Sequence, residues 1–178
     1  EIAEVASMAM ELFSMNHWQA FFDNDADLKR AREHQLERTI TIFPWIAIID
    51  KFQHWVYENP AHTVAERTAT WTAILKEFST NSIDYTGLDA YREIGWQRQL
   101  HLFEVPFYYI EYGIAQLGAI GLWMQYQQNP KQALQNYIKA LSLGGTKTLP
   151  ELYKAAGIEF NLSPDYIKTL MEFTAKEM

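Results

Sequence analysis

Between His101 and Tyr112 the chain reads H-L-F-E-V-P-F-Y-Y-I-E-Y, a histidine, two glutamates and three tyrosines gathered around one proline. An imidazole N–H and phenol hydroxyls are hydrogen-bond donors of the kind that stabilise a developing oxyanion or hold a substrate's backbone. Tyr108 and Tyr112 are four residues apart, so they share a face of any helix that opens near Pro106, with His101 upstream where the chain can fold back over it. Tyr109 is the alternative to Tyr108 in that register. A second group, Glu4, Ser7 and Glu11, recurs at i, i+3 and i+7 among Val5, Ala6, Met8, Ala9 and Met10. Carboxylates in so apolar a helix either sit on a solvated face or are paired or bound to metal, because burying them alone is costly.

The elements that must position these groups read as helical throughout. Apolar residues recur at three and four rather than two, and glycine and proline punctuate the chain at few places, which predicts an all-α, multi-helix single domain. A first helix should run to about Phe22. After a turn and N-cap at Asp23-Asn24-Asp25, a long helix should run from about Asp27 to Tyr57 with Pro44 as a kink. Thr63 and Glu66 form a capping-box pair for a helix to about Phe78. Residues 80–86 read as a loop and 87–95 as short helix or turn. The segment from Pro106 to Gln128 is apolar nearly all round and marks the most buried helix; Gly113, Gly118 and Gly121 within it imply close approach of a neighbouring helix or a ligand backbone. Asn129-Pro130, Leu149-Pro150 and Ser163-Pro164 open three further helices, to about Leu143, Ala156 and Met178.

Composition narrows the class of function. The net charge of −7, with basic residues scattered rather than striped, disfavours nucleic acid. The absence of cysteine excludes a disulfide framework and a thiolate nucleophile or metal site. The apolar runs at 46–49 and 114–123 are too short or too interrupted to span a bilayer, and no signal peptide opens the chain, so a soluble cytoplasmic protein is expected. Six tryptophans, ten tyrosines and ten phenylalanines exceed what a small core requires, so some should line a groove for a peptide or another apolar partner. His17 and His54 each precede a tryptophan and read as packing or surface residues.

The two chemical blocks also carry a resemblance. His101, Pro106-Phe107-Tyr108-Tyr109, Tyr112-Gly113, Ala115-Gln116, Ala119 and Leu122-Trp123 resemble the late signature of the oligoendopeptidase F group within the thimet oligopeptidase family of zinc peptidases. Glu4, Ser7 and Glu11 are similar to that family's E-x-x-S-x-x-x-E helix, and the order and separation of the blocks fit. The resemblance implies a zinc-dependent metalloendopeptidase acting on short peptides in a helical channel. It implies Glu4 as a zinc ligand and Glu11 behind the site, orienting a histidine ligand. His101 with Tyr108, Tyr109 or Tyr112 would hydrogen-bond the scissile carbonyl.

One departure is large. The H-E-x-x-H motif that supplies two zinc ligands and the general base is absent, since none of His17, His34, His54, His62 and His101 stands in that pattern. The chain is therefore expected to be the C-terminal part of a larger helical zinc-peptidase catalytic domain, inactive without the remainder. The alternative is a non-catalytic helical module that binds a peptide or a partner helix.

Overall fold

The computed structural model describes residues 2–80 and 83–178. Among them no strand occurs, and the helices are α1 (Ile2–Ser14), α2 (Asp25–Glu58), α3 (Val64–Phe78), α4 (Asp89–Glu93), α5 (His101–Glu104), α6 (Ile110–Gln128), α7 (Pro130–Ser142), α8 (Leu149–Ala155) and α9 (Pro164–Glu177). Short 3-10 turns occupy Met15–Ala20 and Gly95–Arg98. The expected single domain is organised as two compact units, one of residues 1–40 with 111–178 and one of residues 41–110. No helix of the described residues is long and apolar enough to cross a membrane.

In the first unit, α1 buries Val5, Ala9, Leu12 and Phe13, the stripe that a 3.6-residue period dictates. Phe13 stacks on Tyr126 of α6 and meets Tyr137 of α7 edge-on, with centroids 4.5 and 5.8 Å away. Tyr137 also donates its hydroxyl to the Ala6 carbonyl at 3.0 Å. The first helix stops at Ser14 rather than near Phe22. Two side chains account for that stop: the Trp18 indole donates to Ser14 Oγ, and Arg32 donates to the Met15 carbonyl at 2.8 Å. They hold the following turn in the tighter 3-10 form. Asn24 caps α2 by accepting from the Asp27 N–H at 2.9 Å.

The α6 helix is the spine of this unit, with Ala115, Ala119, Ile120, Leu122 and Trp123 all at or below 1% exposure. Its glycines are contact points for side chains from beyond α7. A methyl group on Gly118 would lie 2.6 Å from the Tyr153 hydroxyl, and one on Gly121 would lie 3.3 Å from Ile158 and Tyr166. Tyr153 of α8 can come that close only because position 118 lacks a Cβ, and it uses the approach to donate to the Ile114 carbonyl at 2.9 Å. The later helices start where prolines stand at their first turns. Asn129 accepts from the Gln132 N–H, Ser163 accepts from the Tyr166 N–H, and Thr148 pairs with Glu151 in a capping box that the sequence reading had not identified.

The second unit is built on aromatic packing between the C-terminal part of α2 and α3. Phe52 meets Trp71 edge-on at 5.0 Å, Trp45 meets the same indole at 6.0 Å, and Trp96 lies 5.6 Å from Phe52. Trp71 is 1% exposed and donates its indole N–H to the Arg92 carbonyl at 2.7 Å, so the largest core residue also ties down α4. The capping box at Thr63 and Glu66 is formed as the sequence predicts, with Thr63 N–H on the carboxylate at 2.8 Å and the Glu66 N–H on the hydroxyl at 3.2 Å. The Thr63 N–H and the Thr63 hydroxyl, both donating to the Glu66 carboxylate, hold it below its ordinary pKa.

Gly118 offers a direct check on the core of the first unit. Gly118→Ala should destabilise the chain by about 1–3 kcal/mol, because the added methyl must displace a buried tyrosine ring. Gly145→Ala, where nothing lies within 4 Å, should change little. Denaturant midpoints of the two variants provide the comparison; equal midpoints would mean that Tyr153 does not depend on the glycine.

Candidate active-site segment

Segment 99–109 lacks regular helix over most of its length, and side chains join its short-range backbone turns in fixing its shape. His101 opens α5, a helix of one turn. The helix expected at Pro106 begins instead at Ile110, because Phe107 adopts φ +58°, a left-handed conformation that is costly for a bulky residue. Two partners hold it there. The Phe107 N–H donates to Gln53 Oε1 at 2.9 Å, and the ring packs on His54 and Tyr57 with centroids 4.9 Å away in both cases. Tyr108 and Tyr109 therefore precede α6, and the expectation that Tyr108 and Tyr112 share one helix face is corrected. Tyr112 lies half-buried in the first turn of α6, within the other unit.

The segment nevertheless brings His101 to two tyrosines. Its ring lies 6.2 Å from that of Tyr108 and nearly parallel to it, and 5.0 Å from that of Tyr109, edge-on. A chain of hydrogen bonds fixes the imidazole. The Trp45 indole, which can only donate, reaches Gln99 Oε1 at 3.3 Å, and Gln99 Nε2 reaches His101 Nδ1 at 2.7 Å. An indole donor at the amide oxygen leaves the amide nitrogen facing the histidine, so Nδ1 must accept and the ring proton sits on Nε2. His101 is thereby a donor at its far nitrogen, the polarity that stabilising a negatively charged oxygen requires.

Tyr109 is 9% exposed. Burial pushes its hydroxyl above the ordinary value of 10.0, with Trp45 and the Arg98 charge offsetting part of the rise. It stays protonated at neutral pH. Tyr108 is more open, at 36%. Gln99, Trp45 and Gln53 were not singled out from the sequence. No spacing rule marks them, because their partners are set by how α2 packs on the segment.

The other block lies on α1. Glu4 is half-buried and Glu11 exposed. Ser7 Oγ donates to the Glu4 carbonyl at 3.0 Å, and Glu11 Oε2 accepts from Gln35 Nε2 at 3.0 Å. Both carboxylates lie off the buried stripe of α1, the first of the two placements that the sequence allows. Among the described residues no group of three or more His, Cys, Asp or Glu could hold a metal ion. A hydrolytic zinc takes three protein ligands, so these residues by themselves do not fit a zinc site.

Two measurements probe the segment. Long-range 1H–15N spectra should show His101 with its proton on Nε2. In Gln99→Glu, whose carboxylate can only accept, the proton should move to Nδ1; an unchanged tautomer would mean that Gln99 does not set it. The raised pKa of Tyr109 implies stability that is fully present below pH about 10, where an unfolded tyrosine begins to ionise, and lost as pH rises through the higher folded value. Tyr109→Phe should therefore flatten the fall in melting temperature above pH about 10 and remove one of the late-titrating phenols from an alkaline absorbance titration.

Comparison with known proteins follows the same geometry. The chain is similar to the oligoendopeptidase F homolog of Borreliella burgdorferi (strain ATCC 35210 / DSM 4680 / CIP 102532 / B31), 23% identical over 181 residues, covering 98% of this chain and 30% of the relative. Its fold is similar to that of PZ peptidase A solved with an inhibitor, at a TM-score of 0.87 and 32% identity, covering 98% of this chain and 32% of that one. It is likewise similar to an X-ray structure described as an oligoendopeptidase F, at a TM-score of 0.85 and 32% identity, covering 98% of this chain and 31% of that one. The chain thus spans about a third of the length of the relatives it matches. The model of peptidase family M3 matches residues 1–172, nearly the whole sequence and both chemical blocks, and the chain belongs to that family.

Proposed function

We propose that this chain is the C-terminal portion of the catalytic domain of a cytoplasmic, zinc-dependent oligopeptidase that hydrolyses short peptides. Membership of peptidase family M3 supports the reaction class. The observation that carries the proposal to particular residues is the contact of Gln99 Nε2 with His101 Nδ1, from which we infer the Nε2–H tautomer, with the ring set beside Tyr108 and Tyr109. Donors of that kind bind a peptide carbonyl oxygen and gain strength as negative charge develops on it, so they favour the transition state over the ground state. Tyr109 acts mainly by its position beneath His101, and the more exposed Tyr108 and Tyr112 are the hydroxyls offered to substrate. Glu4 contributes one zinc ligand, with Glu11 behind it. The remaining ligands and the general base belong to residues outside these 178. The present chain alone is inactive.

The roles separate experimentally in a full-length enzyme carrying this segment. Glu4→Gln should lose retained zinc. His101→Ala and Tyr108→Phe should keep it and lower kcat by about ten-fold or more with KM little altered, because a donor that acts on the transition state affects turnover more than binding. Zinc lost in His101→Ala but kept in Glu4→Gln would reverse the assignment. Peptide binding without turnover in a metal-free full-length protein would favour the non-catalytic module. The 178-residue chain should retain no stoichiometric zinc after dialysis.

A further inference from the structure

A second feature of the 41–110 unit is not used by any of these roles. A pocket of about 300 Å3 opens between the C-terminal end of α2, the start of α3 and α5, at the lower end of the range of about 300–1,000 Å3 found for ligand clefts. Neither His101, Tyr108 nor Tyr109 lines it. Its apolar wall is aromatic, with Tyr57, Trp96 and Phe103 in the lining, and Tyr57 and Phe103 are more than half exposed.

Two polar groups in that wall, the Gln53 amide nitrogen and the Arg67 guanidinium, are donors suited to an acceptor. Gln53 is 2% exposed. Its Oε1 is committed to the Phe107 N–H, which fixes the amide's orientation, and its Nε2 has no partner among the described residues. A buried amide N–H left without an acceptor is unfavourable, so a ligand that supplies one is favoured. Arg67 lies across the Trp96 ring at 5.1 Å and spends one N–H on His62 Nε2. His62 can accept there because its Nδ1 donates to the Asn59 carbonyl. No carboxylate lines the pocket and no ion pair holds Arg67 among the described residues.

We propose that this pocket binds a carboxylate-terminated apolar group, its hydrocarbon or ring against Trp96, Tyr57 and Phe103 and its carboxylate shared between Arg67 and the Gln53 amide. The C-terminal residue of a peptide and a free aryl acid offer that chemistry alike. A guanidinium and an amide donor in the lining of one aromatic cup favour a carboxylate over the uncharged amide, since both carboxylate oxygens accept and carry charge whereas the amide sets an N–H2 donor against them. The site stands on its own lining and needs neither metal nor turnover, so its failure leaves the peptidase proposal untouched.

The test is calorimetric titration of the 178-residue chain, with the Trp96 indole N–H resonance as a local probe. The ligands are N-acetyl-Ala-Phe, its C-terminal amide and 3-phenylpropionate. Saturable one-to-one binding of a carboxylate ligand with a Kd below about 1 mM and a shift at Trp96 is expected, with the amide at least about ten-fold weaker. Tighter binding of the dipeptide identifies a peptide end, and equal binding of 3-phenylpropionate identifies a free acid; both support the site. Arg67→Gln, near the surface, should weaken binding about ten-fold or more. Gln53→Glu keeps the acceptor for the Phe107 N–H and turns the free donor into an acceptor, and it should abolish carboxylate binding while melting near the parent temperature. Equal affinity for acid and amide, no saturation with any ligand, or full affinity in Arg67→Gln would overturn the proposal.

Discussion

Segment 99–109 is turned by short-range backbone bonds around one helical turn, and two side chains of α2 set eight residues apart tie it to the rest of the unit. Trp45 fixes Gln99 and Gln53 fixes Phe107. Eight residues are about two helical turns, or roughly 12 Å, so one straight face of α2 serves as a template for the whole segment. Helical regularity is thereby lent to a stretch that could not maintain a strained residue alone. The same template orients His101 and both of its aromatic neighbours, and Trp45 together with Phe52, two turns further on, also packs against Trp71 in the core of the unit.

What the sequence reveals and what it conceals divide along this line. Local chemistry is legible. The Thr63–Glu66 capping box, the Asn129-Pro130 and Ser163-Pro164 helix starts and the apolar continuity of α6 all appear where their residue types place them, since each depends on neighbours a few positions away. Long-range direction is not legible. Pro106 carries the signature of a first helical position, but an amide fifty-four residues upstream captures the next N–H and bends the chain into the left-handed region. The helix is delayed to Ile110, and no pattern within the segment could have announced it.

The carboxylates of α1 teach a related lesson about cost arguments. Glu4 and Glu11 stand among apolar residues in the sequence, which suggests burial, but the helix turns Val5, Ala9, Leu12 and Phe13 inward and leaves both acids off that stripe. The expense of burying charge is a statement about faces rather than about neighbours in the chain. Gly118 shows the converse. A residue that weakens a helix locally is retained at a point where Tyr153 crosses the helix surface to reach a carbonyl, and its contribution is visible only with the partner in place.

The hydrogen-bond chain through Trp45, Gln99 and His101 runs in one direction only. It starts at an indole, which has no lone pair to receive a proton, and passes through a carboxamide, which neither gains nor loses one near neutrality. A proton taken up by His101 has no exit along that route. Any exchange at the imidazole therefore proceeds through Nε2 and whatever that nitrogen meets, and Gln99 serves as an orienting partner rather than as a link in a proton wire.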